Sequence, residues 1–296
     1  MERELWPLLY HELRATATGF SQKYVQIPAW VLLAVSLWAA LHDRPIGWAC
    51  DARNWSTTPL RPGKLPSPST MSRRAYGVGV GLLWRALEER LRCQGRPLAL
   101  IAFLDGKPLP VGGYTKDADA AYGYGAGLMA KGYKLHAIWS NRPLPEAWEV
   151  TSLKVSEKTK AETLLSQLHG GGYLLADGNY DSSKLFDLAW EGGWQLVVPV
   201  NHPNAGKGRH YQSPHRLRCI DLMRACPGKA DFGPSLYGRR TAIERSFGNA
   251  TMFAGGLGPL PAWTRRLHRV RVWVWAKLLI NAVRILKKQG LTSSLQ

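Results

Sequence analysis

Two acidic residues of this 296-residue chain follow short apolar runs, and that position suits metal chemistry. Asp105 follows "LALIAFL", residues 98–104, and Asp177 closes "GYLLAD". Compact apolar runs of this kind predict strands that are buried on both faces. Side chains at neighbouring strand ends meet at the rim of a sheet, where two carboxylates repel each other unless a cation lies between them. The pattern therefore predicts a metal-binding carboxylate pair.

The ion that this pair suits best is Mg²⁺, because it prefers oxygen ligands and retains water molecules that leave room for a phosphate. Two such ions about 4 Å apart can activate water and stabilise the leaving oxygen of a phosphodiester. The sequence does not distinguish Mg²⁺ from Mn²⁺. The carboxylate pair therefore predicts a divalent-ion site that could act on a phosphodiester.

A third acid, Glu244, is set in a basic stretch, "YGRRTAIERSFGN". The last 96 residues hold 17 Lys and Arg but only three acids, so an acid here is unusual. Residues 237–252 read as a helix, in which Tyr237, Arg240 and Glu244 have the spacing of one helix face. An acid in phase with an arginine can hold a metal while the guanidinium grips a phosphate.

The segments around these acids resemble insertion-sequence DDE transposases of the branch with a Tyr-x-x-Arg-x-x-x-Glu signature, often called the insertion-sequence-four group. The matching segments are "FLDGKPLPV", "GYKLHAI", "LLADGNYDS" and "YGRRTAIERSFG", and the resemblance covers about residues 98–288. It implies an RNase H-like fold. It also implies that Asp105, Asp177 and Glu244 are catalytic and bind two divalent ions.

The same resemblance implies a reaction and a partner. The enzyme would nick double-stranded DNA at the transposon end, and the freed 3′-hydroxyl would then attack target DNA. Tyr237 and Arg240 would contact phosphates, and we expect the neighbouring Arg239 and Arg245 to bind DNA as well. We expect a cytoplasmic, nucleoid-associated bacterial protein, with a homodimer assembled on DNA as a plausible form.

One position departs from the family pattern. Many members of this branch carry a lysine seven residues after the glutamate, whereas this chain has Thr251, which cannot pair with a phosphate. Two alternatives therefore stay open. The chain could be a decayed transposase that only binds DNA, or a nuclease of the same fold that only hydrolyses it.

The distribution of charge favours a polyanionic partner. The net charge is +18, and it is concentrated in the two flanks, since residues 98–200 carry 9 basic and 11 acidic residues. A basic surface around a less basic centre suits nucleic acid that is gripped outside the site. We expect no membrane partner, because the longest apolar run, residues 27–41, is shorter than the roughly 18–20 residues that span a bilayer, and no secretion signal is recognised.

The elements that must position the acids read as an α/β domain, a mixed sheet flanked by helices, with a small α-helical region before it. We place residues 1–72 in this N-terminal region, which ends in a Pro-rich linker, and residues 73–296 in the catalytic domain. The N-terminal helices are either a DNA-end-binding module or a scaffold. Residues 201–235 read as a basic, irregular insertion that contacts DNA, and 263–288 as a basic amphipathic helix.

Several other features have an ordinary reading. The four cysteines form no Cys-x-x-Cys pair, so they predict reduced thiols rather than a zinc site. His136 is expected to be a core histidine, Asp181 a helix N-cap, and Trp148 and Trp190 packing residues rather than base-stacking ones. The segment "AYGYGAGLMAKG", residues 121–132, is glycine-rich but lacks the strand-to-helix pattern of a phosphate-binding loop.

Overall fold

The computed structural model describes residues 2–20, 25–94, 97, 99–125, 127–200, 212–224, 232–251, 253 and 256–291. Its helices are α1 (Glu2–Ala17), α2 (Ala29–Leu41), α3 (Ile46–Ala49), α4 (Pro68–Arg74), α5 (Val78–Cys93), α6 (Glu157–Leu165), α7 (Ser183–Glu191), α8 (Pro214–Met223), α9 (Phe232–Gly238), α10 (Thr241–Thr251) and α11 (Leu267–Lys288). Its strands are β1 (Ile101–Pro110), β2 (Ala121–Gly125), β3 (Leu128–Trp139), β4 (Ala147–Ser152), β5 (Gly172–Leu175) and β6 (Trp194–Val197).

The chain forms two compact units, one of which is discontinuous in sequence. The first contains residues 1–96 and 249–296, and the second contains residues 97–248. This division differs from the expected one after residue 72. The reason is packing: α5 and α11 both lie against α1 and α2, so the helical unit recruits segments from both ends of the chain.

The helical unit is built around α2, which is buried along almost its whole length. Its Trp38 lies edge-on to Trp6 and stacks on Trp55 with ring centroids 4.7 Å apart. Lys277 of α11 is also buried, and its ammonium group donates to Ala40 O and to Asp43 Oδ1, both at 2.6 Å. The apolar run of α2 is thus a core helix, and none of the described helices is long and apolar enough to cross a membrane.

The second unit is a curled mixed sheet of six strands that is flanked by helices. β1, β3 and β4 are antiparallel neighbours, and β5 and β6 run parallel to β1 on its other side. Helix α6 connects β4 to β5, and α7 connects β5 to β6. Three antiparallel strands followed by two parallel ones reached through helices make an RNase H-like fold, which confirms the expected fold class.

Two strand predictions need correction. The first strand does not stop at Asp105: the apolar run ends there, but β1 continues to Pro110 because Gly106–Pro110 pair with β3. The glycine-rich segment is a strand as well, β2, which pairs with the first half of β3. Alternation of tyrosine with glycine hides this strand from a reading based on hydrophobicity, since residues 121–125 contain no Val, Ile or Leu.

Two helix predictions also need correction. The basic segment 201–235 is not irregular where the structure describes it, because Ser213 caps α8 and Pro214 occupies its first turn. Residues 201–211 and 225–231 lie outside the described part. The helix expected over 237–252 is in fact two helices, since the chain turns at Arg239 and Arg240 between α9 and α10.

Candidate active site

The register of β1 and β5 brings the two aspartates to one place. Ile101 of β1 pairs with Tyr173 of β5, and Phe103 pairs with Leu175. If this register is continued by two residues, Asp105 is aligned with Asp177. Residues aligned across parallel strands point to the same face of the sheet. Asp105 thus lies within β1 and Asp177 just beyond the end of β5, on one face. The structure brings together the two acids that the sequence pattern paired.

Burial and mutual repulsion make this pair electrostatically unfavourable. The pKa of Asp105 is raised to about 6, mainly because the carboxyl is buried and also because Asp177 and Glu157 are close. The Gly106 backbone amide, 2.7 Å from Asp105 Oδ1, partly offsets the rise in that pKa. The pKa of Asp177 is raised for the same first reason, burial. The site therefore holds more negative charge than its own neighbours neutralise.

Two further side chains lie at the pair, and neither was assigned a role from the sequence. Glu157, in the first turn of α6, acts electrostatically on both aspartates and accepts from Lys134 Nζ at 2.6 Å. The Tyr180 side chain is fully buried beside them, and its hydroxyl has no hydrogen-bond partner among the described residues. A buried hydroxyl without a partner costs free energy of folding, so Tyr180 adds to the cost of assembling this cluster.

Tyr237 and Arg240 also reach the pair. Arg240 Nη1 lies 4.0 Å from Asp105 Oδ2 and lowers the pKa of both aspartates. Tyr237 is hydrogen-bonded to Arg240, and burial raises the pKa of its hydroxyl. Both residues come from the C-terminal end of α9 and the turn that follows it. The sequence thus identified one basic and one aromatic neighbour of the acids.

The structure does not bring the third expected acid into this group. Glu244 is exposed in the first turn of α10, and Arg239 and Arg245 are exposed as well. The turn between α9 and α10 interrupts the continuous helix on which the single face expected for Tyr237, Arg240 and Glu244 was based. Within the described residues, no group of three His, Cys, Asp or Glu side chains is placed to hold a metal ion.

The remaining polar residues named from the sequence have structural roles. Asp181 does not cap α7; it forms a two-point ion pair with Arg216 of α8, at 2.7 and 3.0 Å. His136 is a core residue, as expected, with Nε2 2.9 Å from Thr151 Oγ1 and a pKa that burial lowers to about 4.

Trp190, which we expected to be a packing residue, is not packed in the core, since 42% of it is exposed.

The donor set fits a divalent cation at the aspartates. Asp105 and Asp177 supply the oxygen ligands that Mg²⁺ and Mn²⁺ prefer, and a cation between them would offset the burial and the repulsion that raise the pKa of Asp105. The third carboxylate is not assembled with these two.

Comparison with known proteins identifies a family for the chain. The transposase DDE domain family matches residues 96–280, which is more than half of the chain and includes all of these acids. No curated protein matches the chain. Among solved structures, the piggyBac transposase synaptic complex with hairpin DNA is similar over 99% of this chain and 74% of that one, at 9% identity and a TM-score of 0.43. The chain belongs to the transposase DDE domain family, whose members are enzymes that act on DNA.

Proposed function

We propose that this transposase belongs to the branch with the Tyr-x-x-Arg-x-x-x-Glu signature, and that it nicks transposon ends and joins the freed 3′-hydroxyl to target DNA. The observation that carries the proposal is the placement of Arg240 beside the in-register pair Asp105 and Asp177. Phosphodiester chemistry needs carboxylates that bind a metal cation, and it needs a positive group, here a guanidinium, that binds the phosphate.

Asp105 and Asp177 are the proposed ligands of Mg²⁺ or Mn²⁺, with Glu244 as the third carboxylate and two ions as the expected number. Bound there, the ions would activate the attacking hydroxyl and stabilise the leaving oxygen. Because Glu244 is exposed and stands outside the described acid group, we propose that α10 shifts when DNA and metal bind. The turn at Arg239 and Arg240 provides the place for that shift, because the helix is already interrupted there.

The protein's own cations hold the DNA in this proposal. Arg240 binds the scissile phosphate, and Tyr237 orients the guanidinium through their hydrogen bond. Arg239 and Arg245 are exposed and bind the flanking phosphates of duplex DNA. The basic segment 201–235, with exposed Arg218 on α8, extends the contact. Because two ends must be joined to one target, we propose a homodimer that assembles on DNA, in the bacterial nucleoid.

Arg240→Gln tests the phosphate contact. We expect weaker DNA binding, and a plot of log affinity against log salt whose slope falls by about one, because one phosphate contact and its released counterion are lost. Fluorescence anisotropy with EDTA present measures this without chemistry. The matched control is Arg53→Gln, whose side chain is 89% exposed in the helical unit. An unchanged slope in Arg240→Gln would count against the contact.

A strand-transfer assay tests the proposed reaction as a whole. The donor is a duplex that carries the DNA flanking the reading frame and ends in a 3′-hydroxyl, and the target is a supercoiled plasmid with Mg²⁺. We expect donor joined covalently to plasmid. Cleavage without joining would indicate the hydrolytic nuclease instead, and metal-independent binding without cleavage would indicate a decayed copy, the alternative that Thr251 raises.

A further inference from the structure

The hairpin β2–β3 presents an aromatic face that the proposed site does not use. Tyr122 is paired with Lys131, and Tyr124 with Met129, so these four side chains share one face of the hairpin. Tyr122, Tyr124 and Met129 are 58%, 68% and 62% exposed. We call these four residues the tyrosine face. It leaves large apolar side chains in solvent, which soluble proteins do at interaction sites.

The glycines explain why the tyrosines point outward. On the opposite face, a Cβ at Gly123 would lie 2.5 Å from Leu153 O, and one at Gly125 would lie 2.8 Å from Pro108 Cβ. Only glycine lets the hairpin lie this close to the ends of β4 and β1. Gly127 has a φ of +82°, which suits the tight connection between the strands. The alternation of Gly and Tyr therefore fixes which face is buried and which is presented.

Two cations, Lys131 and Lys116, lie at or near the tyrosine face, and the acid Asp119 just before β2 is partly exposed. Lys131 Nζ lies 5.9 Å from the Tyr122 ring centroid and donates to Thr115 O at 2.8 Å, next to exposed Lys116. The nearby acid Asp117 is buried, where the Tyr133 hydroxyl donates to it at 2.6 Å. Aromatic rings beside cations on a β-surface suit unpaired nucleotides, whose bases stack while the backbone meets the positive charge.

The size of the face argues against a second copy of this chain as the occupant. Two tyrosines and a methionine at these exposures present roughly 400 Å², whereas a stable protein interface buries about 800 Å² on each partner. A short single strand needs far less area, because each base adds its own stacking contact.

We infer that the tyrosine face is a stacking platform for an unpaired segment of the DNA on which the enzyme acts. The inference rests on the proposed function for its substrate. Asp105 is paired with Ala137, eight residues along β3 from Met129. At about 3.3 Å per residue, the platform lies at most about 26 Å from the acids. A strand of roughly eight nucleotides at 3.4 Å spacing covers that distance.

Tailed duplexes test the platform. Anisotropy with EDTA would compare a blunt 30-base-pair duplex with the same duplex carrying single-strand tails of 4, 8 and 12 nucleotides. We expect the wild type to bind more tightly once the tail reaches about eight nucleotides. The variant Tyr122→Ala/Tyr124→Ala should lose this gain, about tenfold or more, and keep its affinity for the blunt duplex.

Matched variants separate stacking from other effects. Tyr122→Phe/Tyr124→Phe keeps the rings and should keep the gain, and so should Leu128→Ala, which removes an apolar side chain from the opposite face. If the double alanine variant still gains affinity from the tail, the inference is overturned. It is also overturned if, without DNA, light scattering gives this variant a different molecular mass from the wild type, because that would indicate a protein interface. A wild type that binds blunt duplex but gains nothing from tails overturns the inference alone. Failure to bind any duplex overturns the proposed function.

Discussion

Replacing Asp105 with asparagine should abolish Mg²⁺-dependent nicking and at the same time stabilise the metal-free protein at pH 8. The loss of nicking should be about a thousandfold or more, because a carboxylate ligand is removed and not merely reoriented. The gain in stability follows from the pKa of Asp105, which burial raises to about 6. Asparagine has the same shape and carries no charge to desolvate.

The direction of the pH effect follows from linkage. A carboxyl whose pKa is higher in the folded state than in the unfolded state binds its proton more tightly when folded, so its contribution to stability is complete below about pH 4. That contribution is lost as the pH rises through about 6. The shift corresponds to roughly 3 kcal/mol at pH 8, which Asp105→Asn should recover.

Urea denaturation with EDTA at pH 4 and pH 8 measures this effect. The advantage of Asp105→Asn should be present at pH 8 and absent at pH 4, and Mg²⁺ should stabilise the wild type but not the variant. Asp221→Asn is the matched control, because its side chain is 72% exposed, and we expect it to change neither stability nor nicking. Nicking retained by Asp105→Asn, or a variant less stable than the wild type at pH 8, would contradict the assignment.

Glu244→Gln and Glu157→Gln should differ strongly in their effect on nicking. We expect about a thousandfold loss for Glu244→Gln, since it removes the proposed third metal ligand. Glu157 is held by Lys134 and acts on the aspartates through space, so Glu157→Gln should cost about 10- to 100-fold, as for residues that support a metal site. Single-turnover nicking with saturating DNA measures both.

If Glu157→Gln loses more nicking than Glu244→Gln, the third metal-binding carboxylate would be assigned to Glu157 and not to Glu244. Binding of duplex DNA with EDTA present is the control for folding, and both variants should bind as the wild type does. The two mutations test different accounts of the same structure. In one, α10 moves Glu244 to the aspartates when DNA and metal bind, and in the other the acids already near each other are sufficient.

The sequence predicted that the two aspartates lie close together. An apolar run indicates a buried strand, and an acid that follows the run marks the place along that strand where a polar side chain lies. It missed Glu157, since an acid in the first turn of a helix is common for electrostatic reasons and carries no mark of a site. The break between α9 and α10 was also missed. Helical periodicity continues through "YGRRTAIERS", and only packing shows that the chain turns there.

Other failures have similar causes. Helix α8 was hidden by the proline and histidines around it, although Ser213 and Pro214 form a regular helix start. For the glycine-rich hairpin, the sequence excluded a phosphate-binding loop but did not predict a strand. Its role depends on how closely Gly123 approaches Leu153, and a contact between distant segments is not encoded in local pattern.

The discontinuous helical unit has a consequence for synthesis of the protein. Helix α2 leaves the ribosome roughly 225 residues before α11, which packs against it. At 5–20 residues per second, that is a delay on the order of 10 to 45 s during which a strongly apolar helix lacks one of its partners. A nascent chain of this transposase thus depends on chaperones for longer than its length suggests. Products truncated before α11 are expected to be degraded and not to accumulate as free catalytic domains.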